Sequence, residues 1–239
     1  MTGTVVTDAW QAEINERTDT EQFVAWTLER FGHLRMVVTT QFGMEGCALI
    51  DMYAVHQIPI SIVYLDTMFL FPETYELRDR LALRYPHLNF ENRGTSITPD
   101  EQAALHGEAL WGRDPDHCCR IRKVDPMREV LAGVDVWITG ITRGQSLARA
   151  DTPLIGWDWQ FQLLKISPLA LWDRKRIWEY VQSHQVPYNP LHERGFPTLG
   201  CTHCTKPVPG ADITEYTRLG RWDNTGKTEC GLHINGSGI

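Results

Sequence analysis

The sequence has no apolar run long enough to span a bilayer, and its polar, acidic beginning lacks the hydrophobic core of a signal peptide. It also lacks an excess of positive charge, since 23 lysines and arginines stand against 30 aspartates and glutamates, a formal net charge of −7. General attraction to nucleic acid or to an anionic membrane is therefore not expected. These absences predict a cytoplasmic protein, in which thiols stay reduced and an anionic substrate needs a local basic pocket.

The sequence also lacks repeats, low-complexity tracts and linkers, which predicts a single domain over residues 1–239. Its parts are a helical segment at 1–33, an α/β core at 34–185 and a turn-rich segment at 186–239. Within the core, strand-like runs alternate with helical patterns; these runs are 34–40, 60–66, 88–92, 134–140 and 161–167. The alternation predicts an α/β fold with a mostly parallel sheet and helices on both faces.

Three loops follow predicted strands, at the sheet edge where α/β proteins bind ligands. The first, "TTQFGMEG", contains Gly43 and can place backbone N–H groups and a helix N-terminus around a phosphate. The others are "LDTMFLFPET", with Asp66, and "TGITRGQS", with Arg143. A glycine loop after a strand is equally often only a tight turn, so this pattern alone does not define a nucleotide site.

Six cysteines are present, and four of them form two pairs, Cys118 with Cys119 and Cys201 with Cys204. The Cys-x-x-Cys spacing lets both sulfurs face one centre, and adjacent thiolates can ligate different irons of one cluster. The pairs therefore indicate a metal site that joins the core to the C-terminal segment. Spacing leaves zinc, an iron–sulfur cluster, a redox pair and plain core packing open.

The other two cysteines have different settings. Cys47 opens a helix in an apolar stretch and is read as a packed core residue. Cys230 lies in a glycine-rich tail, close to cationic side chains that can favour its thiolate. A thiol on a mobile tail can reach a substrate in a pocket and then a second protein outside it, although a tail cysteine without a role is the alternative.

Five segments resemble, in the same order, motifs of the assimilatory sulfonucleotide reductases. They are "LDTMFLFPETY" (65–75), "DPDHCCRIRKVDPM" (114–127), "ITGITRGQS" (138–146), "VPYNPLHERGFPTLGCTHCTKPV" (186–208) and "KTECGLH" (227–233). The resemblance covers roughly residues 34–233. It implies an adenine-nucleotide α-hydrolase-like fold, a twisted sheet of about five strands, followed by a cluster-binding segment and a mobile tail.

The resemblance also implies a cofactor and a substrate. One branch of the family reduces adenosine 5′-phosphosulfate (APS) and binds a [4Fe–4S] cluster through both cysteine pairs. The implied cluster ligands here are therefore Cys118, Cys119, Cys201 and Cys204. The branch that reduces the 3′-phosphorylated nucleotide (PAPS) generally lacks these cysteines, so this chain resembles the APS branch.

By the same resemblance, Cys230 attacks the sulfur of APS and forms an S-sulfocysteine. Thioredoxin, or glutaredoxin, then releases sulfite for cysteine biosynthesis. The implied substrate-binding residues are Gly43, Asp66, Lys123, Arg143, Arg218, Arg221 and His233. The basic members of this set form the implied cage around the phosphosulfate.

Three departures from the family pattern are visible. Met68 replaces a glycine of the LDTG turn, and Gly46 with Cys47 replaces a serine and an alanine, which removes one hydroxyl. The stretch between Cys204 and Arg218 is also longer than usual. The competing interpretations are a PAPS or dual-specificity reductase and, from another class, a metal-stabilised nucleotide-binding module without catalysis. A homo-oligomer is compatible with the sequence.

Overall fold

A computed structural model of the protein describes residues 10, 13–223 and 225–233. The strands are β1 (Met36–Thr40), β2 (Ser61–Leu65), β3 (Asn89–Arg93), β4 (Val136–Thr139), β5 (Ile155–Asp158) and β6 (Leu163–Ile166). The helices are α1 (Thr20–Phe31), α2 (Met44–Ala54), α3 (Pro72–Arg84), α4 (Pro99–His106), α5 (Leu110–Arg113), α6 (Pro115–Cys119), α7 (Asp125–Leu131) and α8 (Arg174–Ser183). A π-helical turn, Arg120–Val124, joins α6 to α7.

The six strands form one sheet in the order β3-β2-β1-β4-β6-β5. Every neighbouring pair is parallel except β5 with β6, which is antiparallel. The predicted α/β class and mostly parallel sheet are confirmed, but the sheet has one strand more than the five identified. The extra strand, β5, is only four residues long, contains a glycine and ends in an aspartate, so its sequence has little strand character.

Successive residues of the strands point to opposite faces, and two separate apolar clusters result. Val38, Ile62 and Ile138 pack with α1, α2, α3 and α8 in the larger cluster. Val37, Val63 and Trp137 pack with α7 and with Leu232 of the tail in the smaller one. Because the strands carry apolar residues on both faces, both faces must be covered. Helices therefore pack on both faces, as predicted.

Local signals explain where several helices begin. Asp19 caps α1 by accepting from the amide of Glu21, and Pro72 lies in the first turn of α3. Thr98 and Glu101 form a capping box at α4, which ends where Gly107 adopts a φ of 81°. In the described part of the chain, every helix is too short or too polar to cross a membrane.

The ends of the chain are only partly described. Of the predicted helical segment 1–33, residues 1–9, 11 and 12 lie outside the described residues, and α1 begins at Thr20. In the predicted tail, residues 224 and 234–239 also lie outside them. The remaining part of segment 186–239 consists of turns and two short 3₁₀ helices, Pro190–Arg194 and Thr202–Cys204.

Candidate active site

An open cavity lies at the carboxyl ends of β1 and β4. Its walls come from the start of α2, the loop after β4, and the C-terminal segment. Residues from these three sources include Thr40, Gly43, Glu45 and Gly46; Thr139, Gly140, Gln145 and Arg149; and Arg218, Arg221, Trp222, Cys230 and His233. The cavity therefore lies where open α/β sheets bind their ligands.

The start of α2 packs tightly against the strand ends. A Cβ on Gly46 would lie 2.3 Å from the hydroxyl of Thr40, and one on Gly140 would lie 3.3 Å from the amide of Gly46. The Thr40 hydroxyl also accepts a hydrogen bond from the amide of Phe42, at 2.8 Å. A serine at position 46 would therefore clash, and a threonine hydroxyl already occupies the space beside this helix N-terminus.

Positive charge is concentrated around the cavity, although the whole chain is acidic. The cationic side chains that line it are those of Lys123, Arg149, Arg174, Arg218 and Arg221. Lys123, on the π-helical turn, is only 4% exposed. Burial alone would lower the pKa of Lys123, but the thiols of Cys201, Cys119 and Cys230 outweigh it and raise that pKa. Lys123 thus stays a cation in an enclosed setting.

Arg174 is already paired. It forms a buried ion pair with Glu45, and its guanidinium lies 3.4 Å from Nδ1 of His192. Burial works against the Glu45 carboxylate, but Arg174 lowers its pKa overall. Burial, followed by the charge of Arg174, lowers the pKa of His192 to about 4, so His192 is neutral. This group makes one wall of the cavity polar without adding net charge.

The tail is docked against the cavity through Glu229, the residue before Cys230. The carboxylate of Glu229 lies 2.6 Å from Arg149 and 3.5 Å from Arg218, and it accepts from the hydroxyl of Ser146 at 2.7 Å. Burial opposes the charge, but Arg149 and the other partners lower the pKa of Glu229. Cys230 is half-buried, lines the cavity and is a free thiol.

On the other side of Cys230, His233 is held by the sheet. Its ring stacks on Trp137 of β4, with centroids 5.2 Å apart and an interplanar angle of 18°. Its Nδ1 atom lies 3.3 Å from Nζ of Lys165 on β6. Burial, followed by the charges of Lys165, Arg149 and Arg218, lowers the pKa of His233 well below its usual value.

A second, smaller space adjoins the first, and all four paired cysteines line it. Cys118 and Cys119 end α6, whereas Cys201 and Cys204 flank a 3₁₀ turn. Phe69, Trp111 and Pro115 line it on the apolar side, Arg122 and His203 also line it, and Lys123 lines both cavities. Burial, with a contribution from neighbouring thiols, raises the pKa of Cys118 and of Cys204 to about 11 in each case.

The donor set of this space is four sulfurs, which suits iron–sulfur clusters and structural zinc. Within residues 13–223 and 225–233, no group of three or more His, Cys, Asp or Glu is arranged to hold a single metal ion. All four cysteines nevertheless line one space.

Six of the residues predicted to bind substrate or catalyse line the larger cavity. They are Gly43, Lys123, Arg218, Arg221, Cys230 and His233. Asp66 and Arg143 lie elsewhere: Asp66 accepts from the amide of Met68 and the hydroxyl of Tyr75, whereas Arg143 pairs with Glu16 at 2.7 Å. Substrate contacts of these two residues stay predictions.

Three cationic residues in or beside the site were not predicted: Arg149, Arg174 and Lys165. Arg149 is six residues after Arg143, on the 3₁₀ turn Leu147–Arg149, in a stretch without a periodic pattern. Lys165 interrupts an apolar strand, which is the one local signal that a buried lysine has a partner.

Comparisons with known proteins agree on one family. The family model described as "Phosphoadenosine phosphosulfate reductase domain" matches residues 35–207. The adenosine 5′-phosphosulfate reductase of Lysinibacillus sphaericus is 42% identical over 212 residues, covering 89% of each chain. That of Salinibacter ruber is 45% identical over 210 residues, covering 88% of this chain and 82% of the relative.

Solved structures show the same fold. The phosphoadenylyl-sulfate (PAPS) reductase of Candida auris, in a phosphate complex, has a TM-score of 0.69 and 27% identity, over 80% of this chain and 91% of that one. The FMN adenylyltransferase of Candida glabrata, in complex with FMN and an ATP analogue, has a TM-score of 0.59 at 16% identity, over 80% of this chain and 64% of that one. The second likeness concerns the fold alone.

Proposed function

Since the chain belongs to the phosphoadenosine phosphosulfate reductase domain family, we propose that it reduces adenosine 5′-phosphosulfate to sulfite and AMP in sulfate assimilation. The relatives described above are named adenosine 5′-phosphosulfate reductases. The observation that carries the proposal is the position of Cys230. Its free thiol lines the same cavity as Lys123, Arg218 and the N-terminus of α2.

In the first step, the thiolate of Cys230 attacks the sulfur of the substrate. A bond forms between Sγ and that sulfur, and the bond from sulfur to the bridging phosphate oxygen breaks. AMP leaves with the electron pair of that bond, and Cys230 becomes an S-sulfocysteine. The thiol must be deprotonated for this attack, because the thiolate is the nucleophilic form of a cysteine.

In the second step, a thiol of a reductant protein attacks the Cys230 sulfur and sulfite leaves with the bonding electron pair. The second thiol of the reductant resolves the mixed disulfide, which regenerates the Cys230 thiolate and oxidises the reductant to a disulfide. We infer thioredoxin, or glutaredoxin, as this dithiol, in a reducing cytoplasmic compartment. The tail must undock for the step, because Cys230 is half-buried in the docked tail and a protein thiol must reach its sulfur.

Basic side chains supply the electrostatic part of the mechanism. Lys123, Arg149, Arg218 and Arg221 can bind the phosphosulfate oxygens and stabilise the charge that develops on the leaving phosphate. Arg149 and Arg218 are shared with Glu229 in the docked tail. The substrate and the tail carboxylate therefore meet the same two arginines.

We infer a [4Fe–4S] cluster held by Cys118, Cys119, Cys201 and Cys204. The donor set supports this, because four cysteines line one space and thiolates are the usual ligands of such clusters. When bound, the cluster would cross-link α6 to the C-terminal segment and add its charge near Lys123. Two cationic side chains lie beside this space. Lys123 lines both the cysteine space and the substrate cavity, and the guanidinium of Arg122 lies 4.5 Å from the centroid of the Phe69 ring.

A second candidate substrate is PAPS. It is favoured by the likeness to a solved PAPS reductase at 27% identity. The extra 3′-phosphate needs cationic partners of its own, whereas the curated relatives at 42% and 45% identity are named for adenosine 5′-phosphosulfate. We therefore place APS first.

The test is an adduct experiment on the full chain, purified without oxygen and without any reductant protein. APS and PAPS are added in separate samples, and intact mass spectrometry with peptide mapping locates any sulfonate. Cys230→Ser removes the proposed nucleophile. Cys47→Ala is the matched control, because the Cys47 thiol is fully buried in the core.

An adduct on Cys230 from APS, absent in Cys230→Ser and kept in Cys47→Ala, is the expected result. Equal labelling by PAPS would make the enzyme dual-specific. If neither nucleotide modifies Cys230 while the cluster absorbance is intact, the covalent mechanism is wrong. The chain would then be better described as a nucleotide-binding module.

A further inference from the structure

The antiparallel hairpin β5–β6 carries a buried ion pair beside the tail. Nζ of Lys165 lies 3.0 Å from Oδ2 of Asp158, with side-chain exposures of 3% and 2%. The other carboxylate oxygen of Asp158 accepts from the amides of Gln160 and Phe161. A buried pair of this kind is costly to desolvate, and apolar residues often replace it without loss of stability. Stability alone is therefore a weak reason for its presence.

Lys165 also makes a contact outside the pair. Its Nζ atom lies 3.3 Å from Nδ1 of His233 and 4.4 Å from the centroid of the Trp137 ring. Trp137 is itself fixed, because its Nε1 donates to the hydroxyl of Thr39 at 2.7 Å. The stacked ring of His233 is thus held by an aromatic face on one side and by an ammonium group at one nitrogen.

The contact determines which nitrogen of His233 carries the proton. Burial lowers the pKa of Lys165, and the ion pair with Asp158 opposes that effect. As an ammonium group, Lys165 has donors and no acceptor, so Nδ1 accepts the hydrogen bond through its lone pair. The proton of the neutral ring must then be on Nε2. The ring is neutral because burial and the charges of Lys165, Arg149 and Arg218 lower its pKa well below the usual value.

We propose that Lys165, held by Asp158, is a positioning residue that fixes His233 as the Nε2–H tautomer, so that the tail presents an N–H donor instead of a lone pair to the substrate. The proposal rests on the proposed function, since His233 lines the cavity assigned to the nucleotide. A neutral donor suits this place, where Arg149 and Arg218 share the single carboxylate of Glu229 and already leave one positive charge in excess. The Nε2–H group can then donate to an oxygen of the phosphosulfate or of the departing AMP.

A purely structural role for the pair is the competing explanation. In that case, Lys165 would stabilise the hairpin and leave the ring of His233 free to exchange between its two neutral tautomers. The two explanations differ in the protonation pattern of a single ring, which can be observed without any substrate.

The experiment is NMR of the full chain, isolated with its cluster, with ¹⁵N-labelled histidine. Long-range proton–nitrogen spectra report which ring nitrogen is protonated. The signals of His233 are identified as those missing from His233→Gln. The variants are Lys165→Met, which keeps the length but removes the donor, and Lys165→Arg, which keeps a cationic donor. Lys175→Met, at an exposed lysine of α8, is the matched control.

Lys165→Met leaves the Asp158 carboxylate buried without its cation, which can destabilise the fold. A second variant, Lys165→Met with Asp158→Asn, therefore removes both charges together. The expected result is an Nε2–H tautomer in the native chain and in Lys165→Arg. A mixed or Nδ1–H tautomer is expected in the charge-balanced double variant. An Nδ1–H ring in the native chain, or an unchanged Nε2–H ring in the double variant, overturns the proposal.

A second measurement separates positioning from folding and from the chemistry. With saturating APS and no reductant, the single-turnover rate of the Cys230 adduct should fall roughly tenfold in the double variant, since one donor is misdirected. Lys165→Arg should restore most of the rate, and Lys175→Met should not change it. If the native chain forms no adduct at all, the proposed function fails, whereas the tautomer result still decides the role of Lys165.

Discussion

The two faces of the sheet are covered in different ways. On one face, helices α1, α2, α3 and α8 form a large apolar cluster in which α2 is buried along its whole length. On the other face, α7 and the tail form a smaller cluster, to which Leu232 and Cys230 belong. The first face is therefore covered only by helices of the core. Part of the second face is covered by a tail segment that carries the proposed nucleophile.

The tail is attached by two kinds of contact that have different consequences. Leu232 adds a small amount of apolar burial, and Glu229 and His233 add charge-dependent contacts on either side of Cys230. Apolar burial of one side chain is worth about 1.5–3 kcal/mol. Attachment of this strength holds the thiol in place but still permits release to a partner protein.

The largest expected effect tests the comparison directly. Leu77→Ala, in the first core, should lower the free energy of unfolding by about 2–5 kcal/mol, because Leu77 is fully buried among fixed helices. Leu232→Ala should lower it by less than about 1 kcal/mol, since the tail can undock instead. Chemical denaturation measures both. Hydrogen exchange of residues 227–233 should accelerate only in Leu232→Ala. Equal losses of stability would mean that the tail is part of the cooperative core.

The next effect concerns two arginines on neighbouring turns. Arg149 lines the cavity, whereas Arg143 pairs with Glu16 outside it. Arg149→Met together with Glu229→Gln, which keeps the charge balanced, should weaken AMP binding roughly ten- to a hundredfold by titration calorimetry. Arg143→Met, the control, should change it less than about threefold. A larger loss of AMP affinity in Arg143→Met would show that Arg143 contributes to the substrate site.

A smaller effect is the loss of tail docking in acid. The folded pKa of Glu229 is lowered, so its contribution is complete above the ordinary glutamate pKa and is lost as the pH falls through the lowered value. His233, with its lowered pKa, adds a loss in the same direction. Glu229→Gln should therefore show a flatter acid dependence of exchange at residues 227–233, corrected for the intrinsic rate. Glu215→Gln, at an exposed position, should keep the native slope; identical slopes would contradict the role of Glu229.

Motifs anticipated which residues lie near one another in the candidate site, although the roles of those residues stay predictions. Cys118 and Cys201 are far apart in the chain, yet the pair spacing predicted that they meet, and they line one space. Lys123, Arg218 and Arg221 were likewise expected at the cavity they now line. Motifs succeed here because a tight turn fixes the relative positions of its own residues.

Sequence reasoning failed where a contact depends on strand order. The pair of Lys165 with Asp158 needs β5 to lie antiparallel beside β6, and a four-residue strand containing glycine gives no sign of that. Gly46 shows the same limit. Its lost hydroxyl was read as a deficit, but the structure fills that space with the Thr40 hydroxyl, through a contact between a strand and a helix. Such contacts become visible only when the elements are assembled.

The smallest expected effect is at Met68, the residue that replaces the turn glycine. Met68 adopts a φ of 57°, the left-handed region that glycine occupies without strain, and its side chain is exposed. Met68→Gly should therefore raise the free energy of unfolding by only about 0.5 kcal/mol, because relief of the backbone is partly offset by greater freedom of the unfolded chain.

Gln185→Gly is the matched control, since Gln185 has a φ of 51°, is exposed and follows α8 far from the loop after β2. Equal gains in denaturation experiments would show that the turn at Met68 is set by the backbone alone. A loss of stability or of AMP binding in Met68→Gly only would mean that the methionine side chain itself contributes to the loop. In that case, the replacement of the turn glycine by Met68 would contribute to stability or to nucleotide binding.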